Sequence, residues 1–245
     1  MGVAIALGTV VAPAAPAAAN HSWGDYHWAR TQNPFTMKVT DHVSTSWDAH
    51  LSAVSSDWSQ LSVLDTQVVP SFATKRCKPV SGRIEACSGR YGNNGWLGIS
   101  QIWISGSHIV QSTVRVNDTY FALPQYNRGD ARQSVLCMEV GHSLGLDHQD
   151  GSGDSCMDDL SSDWPNILHP NAHDYQQLEE IYSHTDGSAT VAASRKNGNG
   201  GSGKARRVGR SLYVEELGKG RKLFSWVYWK DREASRQASD TTPPG

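Results

Sequence analysis

The sequence predicts an α+β domain, and three patterns carry that expectation. Residues 34–39 alternate apolar and polar side chains with the period of two that a strand requires. Val43, Trp47, Leu51, Val54 and Trp58 then recur every three or four residues and so share one helix face, which needs a sheet to cover it. Further strand-like runs cover 61–70, 95–104 and 108–117, and two more helical runs cover 130–144 and 173–184. A length of 245 residues, 38% of them hydrophobic, suffices for one well-filled core and an appendage.

Taken in order, residues 1–19 read as a secretory signal. The apolar stretch from Val3 to Ala12 is followed by Pro13 to Ala19, a run of small residues of the kind that signal peptidases accept. This segment is too short and too broken by proline to cross a bilayer well, and no other stretch supplies the roughly 20 apolar residues of a membrane helix. A stable membrane span is therefore not expected, and the mature protein is expected to be secreted and extracellular. Cys77, Cys87, Cys137 and Cys156 fit that oxidising compartment, where two disulfides are expected from three combinatorial pairings.

The body of the chain, 20–186, opens with a polar, Trp-rich stretch and the first strand. Asp41 is placed to cap the helix that follows. The interval from Cys77 to Cys87 is rich in turn residues and reads as a loop. The 130–144 helix stops at Gly145, a residue suited to a left-handed C-terminal cap. From 187 to 207 the composition turns to Gly, Ser, Ala, Asn and basic residues, which predicts a flexible linker. Ser211–Leu217 and Arg221–Trp229 flank Gly218-Lys219-Gly220 and predict a β-hairpin appendage over 208–232. A lone hairpin is rarely stable, so it needs a surface to pack on. Residues 233–245 are expected to be a disordered tail.

The chemistry concentrates in Met138-Glu139-Val140-Gly141-His142-Ser143-Leu144-Gly145-Leu146-Asp147-His148. Positions 138 and 142 stand one turn apart on one helix face, and a turn at Gly145 brings His148 back toward the same point. Two imidazoles at i and i+4 can hold one metal ion while the carboxylate beside the first addresses its bound water. Glu139, His142, Gly145 and His148 match the motif His-Glu-x-x-His-x-x-Gly-x-x-His, and Ser155-Cys156-Met157-Asp158 looks like its Met-turn. On those residues the chain resembles the metzincin zinc metallopeptidase superfamily. Over Trp28 to Asp186 it is similar, more loosely, to secreted bacterial matrixin-like proteins.

The resemblance implies a metzincin-like zincin layout: a twisted mixed sheet, a backing helix, the active-site helix and a C-terminal helix. It implies that Met157 forms an apolar floor under zinc, and that a peptide lies extended along the strand at 98–102. It also places Cys137 near Cys156, so the expected pairing is Cys77 with Cys87 and Cys137 with Cys156. With a full set of imidazoles, Zn2+ would activate water, Glu139 would act as general base and proton donor, and the ion would hold the oxyanion.

One position departs from the motif, because Met138 stands where the first zinc-binding histidine belongs. A thioether is a soft, weak ligand that does not replace an imidazole on zinc. His142 and His148 remain as the metal ligands, and Asp147, His169 and His173 are the other residues that could complete the shell. Two functions follow from the resemblance. One is a secreted zinc metalloendopeptidase acting on a protein or peptide substrate. The other is a catalytically impaired pseudopeptidase of the same fold that binds extracellular peptides or surfaces.

Charge divides the chain. Residues 1–186 hold 10 Lys+Arg against 19 Asp+Glu, a net of -9, whereas residues 187–245 hold 12 against 5, a net of +7. The basic end could meet an anionic surface or simply dock on the acidic domain. Asn117-Asp118-Thr119 fits a glycosylation triplet, and Asp147, Asp150, Asp154, Asp158 and Asp159 form an acidic stretch without the spacing of a calcium loop. Nothing resembles a phosphate-binding loop, so no nucleotide is expected.

Overall fold

A computed structural model describes residues 21–149, 153–158, 164–191 and 203–244. The expected signal, 1–19, lies outside the described residues, as does most of the expected linker. The architecture is α+β around a mixed sheet. Its strands are β1 (His27–Trp28), β2 (Phe35–His42), β3 (Leu64–Pro70), β4 (Ile84–Gly89), β5 (Trp96–Ser105), β6 (His108–Asn117), β7 (Ala205–Val208), β8 (Leu212–Gly218) and β9 (Arg221–Trp229). The helices are α1 (Asp48–Trp58), α2 (Asp118–Phe121), α3 (Gly129–Leu144), α4 (Ala172–Ile181) and α5 (Arg232–Gln237).

Strand order is β3-β2-β4-β6-β5-β9-β8-β7, with β1 paired to the start of β6. The β3, β2, β4 and β6 pairings are parallel, and from β6 through β5, β9, β8 and β7 every pairing is antiparallel. α1 and α3 pack on each other and against the sheet. The main core between them gathers Trp47, Leu51, Val54 and Trp58 of α1, as their spacing predicts, together with Met37, Val39, Ile102, Val114, Leu136 and Val140. Trp47, at the helix N-cap position, is also tied down through its indole N–H, which donates to Asp118 Oδ1 at 2.8 Å.

Several expectations need correction, the first being that α1 starts at Asp48, so Val43 precedes the helix although it is buried. Asp41 does not cap α1: β2 continues to His42, and the Asp41 carboxylate instead accepts from the Val43 amide at 3.1 Å. The Cys77–Cys87 interval is not all loop, because β4 begins at Ile84 and lies between β2 and β6. Glu85, Ser88 and Gly89 hide this strand from a polarity reading, since buried Glu85 is offset by an ion pair with Arg83 and a contact with His42, each at 2.9 Å. The C-terminal hairpin is continuous with the sheet rather than appended to it, because β9 pairs along β5 from Ser105↔Arg221 to Trp96↔Trp229. The described part of the expected linker ends in β7, from Ala205.

Alternation along β9 explains why the hairpin stays there. Phe224, Trp226 and Tyr228 enter the main core, while Val227 and Trp229 face the other side of the sheet and join Trp96, Ile99 and Tyr213 in a second cluster. Ala234 and Ala238 cover that cluster, and Asp231 caps α5 through the Ala234 amide at 2.7 Å. The expected disordered tail is therefore ordered over its described residues, 233–244. Both disulfides form as expected, Cys77–Cys87 and Cys137–Cys156.

Candidate functional site

α3 carries the motif into the core, and every residue from Gln133 to Leu144 is buried. The helix ends as the sequence predicts, with Gly145 at φ 116°, a conformation that costs a side-chain-bearing residue dearly. Space gives a second reason for glycine here: a Cβ would stand 2.9 Å from the Tyr26 carbonyl oxygen. The turn returns the chain so that the His142 and His148 rings lie 4.8 Å apart. His142 Nδ1 donates to the Leu146 carbonyl at 2.8 Å, which fixes its ring.

Met157 reaches the underside of α3. A Cβ on Gly141 would fall 2.4 Å from its sulfur and 2.8 Å from Trp58, so glycine is what lets Met157 and Trp58 close under the helix. Cys137–Cys156 ties α3 to this turn. Glu139 points the other way, toward β5, where Gly98 leaves room for it: a Cβ there would meet Oε1 at 2.6 Å.

The electrostatics are those of a closed site. Glu139 is fully buried, and among the described residues neither carboxylate oxygen has a hydrogen-bond partner of good geometry. Burial holds its carboxyl well above the usual range, against the weaker downward pull of the Tyr228 and Ser100 amides and the Arg115 charge. His148 keeps some solvent contact as a residue, but its ring is enclosed. Desolvation, aided by Arg210, lowers its pKa to about 3, so the imidazole is neutral at ordinary pH.

What closes the site is Trp226 of β9. Its ring stacks on His142 at 4.5 Å and 8°, and meets His148 edge-on at 5.2 Å. The strand expected to hold a peptide, 98–102, is paired by β9 from Gly98↔Tyr228 to Ile102↔Phe224. An open groove of about 420 Å³ still runs past Asp147, His148, Arg210 and Trp226. The sequence holds Trp226 in plain view, but nothing in it says that β9 returns to β5.

A zinc centre needs three protein ligands at one point. The motif residues do not fit one: Met138 is a fully buried core side chain, and among the described residues no third His, Cys, Asp or Glu joins His142 and His148 within 4.8 Å. His169 is instead paired with Asp57 at 2.8 Å, His173 stacks on His21 at 4.7 Å, and Asp147 accepts from the His148 amide at 2.6 Å. The group that does bring three donors within 4.8 Å of one another is His27, His184 and Asp186, which could hold a metal ion. Sequence reading passes over it because its members come from opposite ends of the domain.

Two minor expectations resolve here. Asn117 is buried, with its amide donating to Gly92 and Asn94 at 3.0 Å each, so it is a capping residue rather than a glycan acceptor. Asp154 accepts from Asn171 at 2.9 Å and buried Asp158 from the Gly153 amide at 2.9 Å, while Asp150 and Asp159 lie outside the described residues. No protein-family model matches the chain, and no curated protein matches it. Among the described residues no helix is long and apolar enough to cross a membrane.

Proposed function

We propose that this chain is a secreted, non-proteolytic protein on a metzincin-like scaffold, acting outside the cell as a surface-binding protein. The observation that carries the reading is the pairing of β9 along β5 with Trp226 stacked on His142, which fills the edge and the space a peptide would need. Two further observations agree with it. Met138 supplies no imidazole, and the Glu139 carboxyl is fully buried against β5, shut off from the water it would have to activate. In this reading the motif persists as structure: the Gly145 turn, the Met157 contact and the disulfide hold α3 against the sheet.

A direct assay separates this from the endopeptidase reading. The full chain, incubated with an unfolded protein substrate and excess Zn2+, should leave it intact. Digestion that Glu139→Gln abolishes would reject the proposal and restore a zinc peptidase with Glu139 as base.

The endopeptidase reading is favoured by one observation, the orientation of His142 and His148 with their rings 4.8 Å apart and His148 neutral. It predicts that Met138→His, by adding a third imidazole, raises zinc affinity and proteolytic activity. No gain would support closure by Trp226.

Surface binding is supported by the exposed basic residues Lys204, Arg206, Arg210 and Lys219 near the β7–β8–β9 end of the sheet. Because β9 is integral to the sheet, truncation would test folding instead, so charge reversal of these four is the informative change. Elution from an anionic matrix at lower salt than the parent is expected, and equal elution would reject an anionic surface as the target.

A further inference from the structure

Away from the motif, the start of β1, the start of β6 and the segment after α4 converge. His27 Nε2 lies 3.2 Å from Asp186 Oδ1 and 3.3 Å from His184 Nε2, and His184 Nε2 lies 3.8 Å from the same oxygen. These are close to the spacing of ligands on one ion, since a tetrahedron with bonds of about 2.0–2.1 Å has edges of about 3.3 Å.

Proton bookkeeping points the same way. His27 Nδ1 is 2.8 Å from the Asp25 carbonyl oxygen, which can only accept, so Nδ1 carries the hydrogen. Nε2 is then the ring atom that faces the carboxylate oxygen and the second imidazole nitrogen. A cation at that point would meet all three ligand atoms at once.

The surroundings are built to hold this arrangement. Asp186 Oδ2 accepts from Arg30 Nη1 at 3.0 Å and from the Arg30 amide at 3.1 Å, which leaves Oδ1 turned toward the histidines. The Asp186 amide donates to the Arg30 carbonyl at 2.8 Å, and Arg30 Nη2 donates to the His184 carbonyl. His108 Nε2 stands 3.2 Å from Oδ1, as an outer partner of the carboxylate. His27 and Asp186 are about nine-tenths buried, whereas the His184 side chain is half exposed, so an ion can enter from the His184 side.

We propose that His27, His184 and Asp186 bind one divalent transition cation of the zinc class, with His108 supporting Asp186. Two imidazoles and a carboxylate select nitrogen-preferring Zn2+ over the oxygen-preferring Ca2+ and Mg2+. The ion fastens the amino-terminal segment to the end of α4, a structural role independent of Glu139 and of the proteolysis question.

The test is a Zn2+ titration of the metal-stripped full chain by calorimetry, with melting followed alongside. One saturable equivalent and a rise in Tm are expected, with no displacement by excess Ca2+. His184→Ala, chosen because its side chain is half exposed and its loss spares the core, should weaken Zn2+ binding on the order of 100-fold, and His108→Ala about 10–100-fold. His142→Ala should leave binding unchanged. Circular dichroism matching the parent establishes that each variant is folded, and Co2+ loaded into the parent should give tetrahedral absorption that His184→Ala loses. Three results would overturn the assignment: no saturable Zn2+ binding by the parent, binding unaffected by both His184→Ala and Asp186→Asn, or binding lost in His142→Ala but kept in His184→Ala.

Discussion

Gly141→Ala tests the contact that seats Met157 beneath α3. Two effects oppose each other. Alanine at an interior helix position gains about 1 kcal/mol over glycine. Against this, the new Cβ would fall 2.4 Å from Met157 Sδ and 2.8 Å from Trp58 Cζ2, both below any normal approach. Both neighbours are fully buried, and the Trp58 indole is rigid and donates to the Cys137 carbonyl at 3.2 Å, so neither can withdraw cheaply. Overpacking a filled core costs about 1–3 kcal/mol, and two such contacts place this site in the upper part of that range. The net loss expected is about 1–2 kcal/mol, a fall in Tm of about 2–8 °C for a domain of this size. Urea unfolding followed by tryptophan fluorescence would give the difference, with the slope unchanged. Gly129→Ala is the control, because its Cβ meets only His50 at 3.8 Å, and it should be neutral or slightly stabilising. A Gly141→Ala protein as stable as the parent would refute the packing argument.

Three further predictions follow from the same geometry. Trp226→Ala should cost about 3–5 kcal/mol, the usual loss for a large core aromatic, and should still release no proteolysis; activity appearing in this variant would mean the site is only covered. Replacing Cys137 and Cys156 together by serine opens a loop closed across 19 residues, and denaturant unfolding should record a loss of about 3 kcal/mol; no change would mean the loop is held by packing alone. For pH, the folded-state pKa of His148 is depressed to about 3, so the unfolded chain binds its proton first as pH falls below about 6.5. Its stabilising contribution is full above that value and should fall by about 2 kcal/mol between pH 8 and pH 5. Glu139 acts in the opposite direction, because its raised pKa makes its contribution full at low pH and lost as pH rises through the folded value. The difference between the parent and His148→Gln isolates the first effect, and parallel profiles for the two proteins would refute it.

Local patterns settled a good deal without coordinates. The period of three to four over Leu51, Val54 and Trp58 gave the buried face of α1, the alternation at 211–229 gave the hairpin, and Gly145 marked the end of α3 at the right residue. These are interactions between near neighbours, so composition and spacing encode them directly. The motif from Glu139 to His148 likewise brought its two histidines together, because one helix turn and one glycine turn determine where they stand.

Long-range placement was beyond such patterns. β4 was hidden because buried Glu85 is held by Arg83 beside it and by His42, 43 positions away, which only the sheet brings near. Trp226 reads as an ordinary hairpin aromatic until β9 pairs with β5 and sets it on His142. His27, His108, His184 and Asp186 carry no recognisable spacing, yet the pairing of β1 with β6 and the clamp of Arg30 on Asp186 bring them to one point. The sequence by itself determined the type of most elements and the arrangement of the motif, while the cysteine pairing came from the resemblance. The tertiary structure decided whether that arrangement is open to a substrate and where three metal donors meet, because both depend on contacts between segments distant along the chain.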